Sequence, residues 1–313
     1  MSLRIPIPRG TAPGARPAAA VELAPGAVLA AATPSPGAPP VFAAEPLPPG
    51  AIVPGLSDTN LPGAPAVSAA IRAALAAVSP RPRAVTVILP DSAVRVFVLD
   101  FDTLPSRPED AMAVLRFRLR KSVPFDVEQA GISYQVLVEG STRQETPWKI
   151  LAAVLPGPVL AEYESAVRAA GYEPGAVLPA SLAALAGLSS EEALLVAHLH
   201  AGSLTTTILS GTDILLHRTM DLDPEHPDFP AEFQRAIAVA SAFFEDKLRA
   251  PARSLIYSGS LPVAEIEAIL AGDDDPNSQP LSIVQIGANA LGAVSSLGNR
   301  SVAALTGALA ETR

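Results

Sequence analysis

The residues with the most chemical potential crowd into one short stretch. All four histidines, His198, His200, His217 and His226, fall there. In the run ALLVAHLH, His198 and His200 alternate as strand residues do and share a face, and His217 lies on a following strand run. Three imidazoles could converge as a metal site, or they could stand neutral at strand ends. The chain has no cysteine, which excludes disulfides, thiolate ligands and thiol nucleophiles. Asp273-Asp274-Asp275 lacks the alternate spacing and distal glutamate of a calcium loop and reads as a solvated turn. Asp100 and Asp102 end a strand before a proline-containing turn and take no catalytic role. No Walker motif, nucleophile elbow or redox motif occurs.

A second concentration of charge is RFRLRKSVPFDVEQAGISYQVL, residues 116–137. Met112, Leu115 and Leu119 recur at helical spacing, so one face is apolar, with Arg116 and Arg120 one turn apart beside it. Pro124 is expected to stop this helix, and Val123-Pro124-Phe125-Asp126 to lead into a strand. The arginines are either a solvated face or a surface that meets a partner or acidic lipid. Spacing leaves both open.

The chain of 313 residues is long enough for two domains with real cores. Hydrophobic residues make up 49% but aromatics only 4%, which predicts cores built from small side chains. A net charge of −9 without an offsetting basic stripe argues against nucleic-acid binding. No apolar run approaches the ~18 residues a membrane span needs. The Ala- and Val-rich residues 18–32 are interrupted by Glu22 and Pro25 and do not read as a signal peptide. Membrane association is therefore expected through another protein.

Along the chain, residues 1–66 are rich in Pro, Ala and Gly, with a hairpin around Pro25-Gly26 and a Pro-rich insertion at 33–40. A helix is predicted over 67–79, then strands at 84–89 and 93–99. A polar loop at 140–147 precedes a strand at 148–155 and a helix with Val159, Tyr163 and Val167 on one face. Another helix follows at 180–188. Three strand runs with short turns then open a second unit, followed by a helix over 231–248 that buries Phe233, Ile237, Ala240, Phe244 and Leu248. A strand at 254–257 leads through Ser258-Gly259-Ser260 into a helix at 263–270, an acidic loop at 272–280 and a last helix at 301–310. This repeat of strands and helices predicts a two-domain α/β protein.

Residues 83–137 resemble the inserted subdomain of the PilM family of type IV pilus assembly: AVTVILPDSAVRVFVLDFDTLP, a helix ending RLRKSVPFDVEQA, then ISYQVL. AEPLPPGAIVPG, residues 44–55, is similar to the family where its third strand meets the first helix. The resemblance implies an actin-like ATPase fold with two RNase H-like halves at 1–188 and 189–313. It also implies a PilM-type subdomain inserted at about 93–155 and a reduced second-half subdomain at about 221–250.

The family holds nucleotide between two glycine turns, each bearing an Asp. Counting back from AVEL at 20–23, the first Asp falls on Ala12 and the glycine on Gly14, with Pro13 and Pro17 added. In the second turn, Leu199-His200-Ala201-Gly202-Ser203, His200 stands where Asp is expected, and imidazole is no substitute toward hydrated Mg²⁺. The expectation is a nucleotide-free cleft with no cofactor and no enzymatic activity. Were ATP bound, Gly14, Gly202, Ser203, Ser258 and Gly259 would surround it.

The family's remaining asset is a groove between the first core subdomain and the insert, which holds the N-terminal cytoplasmic tail of the membrane protein PilN. By resemblance, Phe117, Val123, Pro124 and Phe125 would form it, with Arg116 and Arg120 at its rim. The implied role is a cytoplasmic scaffold, peripheral to the inner membrane through protein partners. An ATP-binding PilM-like protein and a cytoplasmic component of a type II secretion platform are the alternatives.

Overall fold

The computed structural model describes residues 16–35, 37–57, 59–80, 83–141, 145–188, 190–211, 213–271, 281–287 and 300–310. Two five-stranded sheets follow one wiring plan. In the first, β1 (Ala19–Ala24), β2 (Ala27–Ala32) and β3 (Val41–Pro46) form an antiparallel meander. β4 (Ala84–Leu89) then runs parallel to β1, and β8 (Glu173–Pro179) parallel to β4, giving the order β3-β2-β1-β4-β8. In the second, β9 (Leu194–His200), β10 (Ser203–Ser210) and β11 (Asp213–Asp221) make the meander, and β12 (Ser254–Ser258) and β13 (Ser282–Gln285) add in parallel, giving β11-β10-β9-β12-β13.

β1 and β2 are buried at every position, which explains why AAVELA and AVLAAA lack polar alternation. α1 (Ala64–Val78) and α3 (Gly157–Ala169) cover one face, closing a core that includes Leu23, Val28, Ile71, Leu75 and Tyr163. The three residues expected on one face of α3, Val159, Tyr163 and Val167, are all buried. The other face meets α4 (Ala180–Leu185) and α7 (Ala303–Leu309) over Ala20, Ala31, Ile88 and Leu305. α7, counted above with the second half, thus packs on the first sheet.

The insert is a three-stranded antiparallel sheet, β5 (Arg95–Phe101), β7 (Trp148–Leu155) and β6 (Gly131–Val138), in the order β5-β7-β6. α2 (Pro108–Leu119) packs on it through Leu115 and Leu119. Its end corrects the expectation for Pro124. The helix stops at Leu119, where the Ser122 N–H turns back to the Leu119 carbonyl at 2.8 Å, well before the proline.

In the second half, α5 (Phe229–Leu248) and α6 (Val263–Ala271) pack on the sheet, and α5 is the only helix between β11 and β12. This is the single long helix expected between these strands. α5 starts earlier than the apolar pattern suggested, burying Phe229, while Leu248 is only half-buried. β8 carried no strand signal because EPGAVLP holds two prolines and a glycine; it is an edge strand, where proline is tolerated. The acidic run Asp273-Asp274-Asp275 and the loop at 272–280 lie outside the described residues.

Candidate functional site: a clasped cleft and an open groove

The two halves meet at equivalent hairpins. β1 and β2 are closed by Ala24 opposite Ala27, β9 and β10 by His200 opposite Ser203. The first turn is Pro25-Gly26, with Gly26 at φ 79°, and proline's fixed negative φ makes this a type II arrangement. The second is Ala201-Gly202, with φ of 53° and 76°, the positive pair of a type I′ turn. Both line a cavity of about 180 Å³ together with Glu22, His200, Gly259 and Arg300.

This geometry corrects the counting from AVEL. Residues 20–23 belong to the first strand of their half, so the turn that faces Gly202 is Pro25-Gly26. Gly14 and Ala12 lie outside the described residues. Nor is the first carboxylate missing. Glu22 stands two residues before its closing pair, the offset that His198 occupies in the second hairpin. The signal was available in the sequence, as the one charged residue in an otherwise apolar strand.

Glu22 and His200 join the halves: Glu22 Oε1 lies 2.6 Å from His200 Nε2, with both side chains largely buried. Burial pulls the His200 imidazole down, but the charge and hydrogen bond of Glu22, helped by Asp91, more than offset it and hold its pKa above the ordinary value. Around this pair runs a buried polar network. Asp91, after β4, accepts hydrogen bonds from the Ser181 hydroxyl at 2.7 Å and the Ser181 N–H at 3.2 Å. Desolvation raises the Asp91 pKa, partly countered by those bonds and the His200 charge. His217 sits between Ser181 Oγ at 3.4 Å and Thr207 Oγ1 at 2.9 Å, and burial pushes its pKa down to about 4. His198 Nδ1 lies 3.1 Å from Ser258 Oγ, which in turn lies 3.1 Å from Ser301 Oγ. Burial and its charged neighbours push His198 well below the usual imidazole range, so its 3.9 Å approach to Asp91 is no ion pair.

Three of the histidines do gather, but His198 and His217 face hydroxyls and His200 faces the Glu22 carboxylate. Among the described residues no group of three His, Cys, Asp or Glu is placed to hold a metal ion, and His226 is exposed on a loop. The residues expected around nucleotide fare similarly. Gly202 and Gly259 line the cavity, but the Ser203 hydroxyl donates to the His200 carbonyl and Ser258 is committed to His198 and Ser301. Gly259 is required by packing, since a side chain there would meet the buried Tyr257 ring. The cavity falls below the ~300–1,000 Å³ usual for small-molecule sites. With Pro25 offering no N–H and Glu22 engaged by His200, these groups as arranged do not fit a nucleotide with its hydrated metal.

The second concavity is open. A groove of about 690 Å³ runs between the insert and the first half, walled by Pro124 and Phe125 on one side and by Leu56, Pro158 and Val159 on the other. Of the expected partner residues, Pro124 and Phe125 are therefore brought to a groove. Val123 turns onto the core of the insert, and Phe117, 75% exposed, projects from α2 without lining this groove. The two arginines are not its rim. Arg116 donates to the Val127 and Ala130 carbonyls, tying the helix to the exit segment, and Arg120 pairs with Glu128 at 2.7 Å. Both reach back to their own subdomain because the chain doubles under the helix end. Missed in the sequence were Asp126 and Glu162, the two charged residues of the groove. Glu162 Oε2 accepts the N–H groups of Asn60 at 2.7 Å and Leu61 at 3.3 Å, bracing the loop before α1 against α3.

Comparison with known proteins places this architecture. No family profile matches the chain, and no curated protein matches it. Among solved structures, a chain of a PilM-PilN type IV pilus biogenesis complex superposes with a TM-score of 0.72 at 17% identity, over 93% of this chain and 97% of that one. A Bacteroides thetaiotaomicron protein of actin-like ATPase fold and unknown function gives 0.56 at 9% identity, over 94% and 95%. The ethanolamine utilization protein EutJ from Carboxydothermus hydrogenoformans gives 0.51 at 9%, over 97% and 91%. The chain has an actin-like ATPase fold in a PilM-like form. Among the described residues no helix is long and apolar enough to cross a membrane.

Proposed function

We propose that this chain is a PilM-like scaffold that holds the cytoplasmic tail of a PilN-like inner-membrane protein in its outer groove. On this reading it works without ATP hydrolysis, and its central cleft is closed by its own side chains. The chain then resides at the cytoplasmic face of the membrane through its partner. Its halves are residues 1–188 and 189–313, with 93–155 inserted and 221–250 the reduced outer part. The observation that carries the reading is the open 690 Å³ groove at Pro124 and Phe125. Its likeness in fold to a chain of a PilM-PilN complex supports the choice of partner. An extended segment in such a groove gains main-chain hydrogen bonds along its length and side-chain pockets at alternate positions.

Titration calorimetry with the tail of the neighbouring PilN-like protein tests this. Saturable binding that Phe125→Ala weakens is expected; absence of binding overturns the proposal. An ATP-binding reading draws on Glu22 Oε2, which has no partner among the described residues, and on Arg300, which lines the same cavity, and requires His200 to leave Glu22. A saturable, Mg²⁺-enhanced thermal shift with ATP would establish it in place of the nucleotide-free cleft.

A further inference from the structure

The outer groove does not stop at Glu162. A second furrow of about 640 Å³ lies along the seam between α1 and α3, and it shares Pro158 and Glu162 with the first. Its walls are small: Ala64 and Ser68 from α1, Ala161, Ser165 and Ala169 from α3. Walls this low let an extended backbone lie close to both helices.

The charges along the path are uneven. The first cavity is lined by two charged residues, Asp126 and Glu162, both acids. The furrow adds Arg72, whose guanidinium is used on the carbonyls of Ala169 and Ala170 at the end of α3. Glu162 engages loop N–H groups through Oε2, and among the described residues its Oε1, at the junction of the two cavities, has no hydrogen-bond partner. Asp126 is exposed, its Oδ1 accepting the Glu128 N–H. Apolar walls interrupted by two acids fit a segment with aliphatic side chains and a cation. Cytoplasmic segments next to membrane spans carry an excess of Lys and Arg, so a membrane protein's tail has this chemistry for reasons unrelated to this partner.

Resting on the scaffold reading above, we infer that the bound tail is basic and longer than the groove. One lysine or arginine lies over Asp126 and Glu162, and the following residues run along the α1–α3 seam. The groove then selects its partner by charge as well as by apolar fit, and the seam adds a second stretch of contact.

The experiment uses the full chain and three synthetic peptides: the complete cytoplasmic tail of the neighbouring PilN-like protein, the same tail with each Lys and Arg replaced by its uncharged isostere (norleucine or citrulline), and the tail cut to the length that fills the first groove. The uncharged tail is expected to bind about tenfold more weakly, the worth of one charge-assisted contact. The double variant Asp126→Asn, Glu162→Gln should reproduce that loss with the natural tail, and added salt should weaken the wild-type complex. Ser165→Trp, which fills the seam from an exposed position, should weaken the complete tail about tenfold and leave the cut tail unchanged. Equal binding of charged and uncharged tails, or indifference of the complete tail to Ser165→Trp, overturns this inference while the scaffold reading stands. Failure of the complete tail to bind wild-type protein overturns both. Should the double variant fold poorly, the uncharged peptide still decides the charge question on the wild-type chain.

Discussion

The central cleft and the outer groove are both concavities between subdomains, yet they are built in opposite ways. The cleft is filled with the chain's own titratable groups, Glu22, Asp91, His198, His200 and His217, all bonded or buried against one another. The groove is walled by prolines, a phenylalanine and two acids, and its volume is left open. Where Glu22 and His200 bond the two halves directly, no ligand is needed to hold them. Where rigid proline and helix-end walls leave apolar surface uncovered, a ligand gains by covering it.

The sharpest break in that contrast comes from unclasping the cleft. Glu22→Ala leaves His200 buried without its counter-ion and is expected to cost about 3 kcal/mol or more in chemical denaturation. Replacing Glu22 and His200 together by leucines should cost less than either single change, since no lone charge remains. In the folded fraction of either variant, affinity for the tail peptide should be unchanged, because the groove shares no residue with the clasp. A joint loss of stability and tail affinity would mean that the two regions are coupled.

Acid should act on the cleft through its histidines. His217, with its pKa near 4, and His198, shifted in the same direction, take up protons more readily in the unfolded chain. Stability therefore falls as pH drops from ~6.5 toward 4, by roughly 3 kcal/mol for His217 alone. His200, held above its ordinary value, runs the other way: its contribution is complete below ~6.5 and is lost as pH rises through its folded pKa. Asp91, raised by burial, also favours the folded state as pH falls. Thermal melts of wild type and His217→Gln across this window should show the acid limb flattened in the variant.

On the groove side, Phe125→Ala should weaken the tail about tenfold with a smaller effect on melting, because Phe125 is half-buried against the core of the insert. Smallest of all is Arg120→Ala. Its pair with Glu128 is exposed at both ends, so about 0.5 kcal/mol or less is expected and tail binding should be untouched. A large loss of tail binding in Arg120→Ala would return that arginine to the rim.

Much of the fold was legible. Strand runs such as AVTVIL and the apolar stripe of α5 carry their periods openly, and the short meander turns mark the second half. What was not legible depended on pairing. β8 reads as a loop until β4 is beside it, and α7 reads as part of the half that precedes it in sequence. The cleft failed for a related reason. AVEL fixes a strand but not which strand of its sheet, and one strand's displacement moved the expected turn to residues 12–14 and hid Glu22. In the insert, Pro124 and Phe125 came from the family resemblance, which named Phe117 and Val123 with them because pattern alone does not sort groove walls from core or exposed positions. Arg116 was misjudged because a guanidinium's partners are backbone carbonyls brought near only by the fold. Glu162 gave no signal, being one polar position among several on an amphipathic helix.

The placement of α7 bears on how the protein is made. The face of the first sheet formed by Ala20, Ala31 and Ile88 is completed by Val302, Ala303, Leu305 and Ala308, from the far end of the described chain. During synthesis, residues 20, 31 and 88 emerge well before residues 302–308, which complete their cover. A nascent chain stalled ahead of residue 302 would present this face covered by α4 alone, making it a natural place for a ribosome-associated chaperone to bind and a poor one at which to divide the protein for expression in pieces.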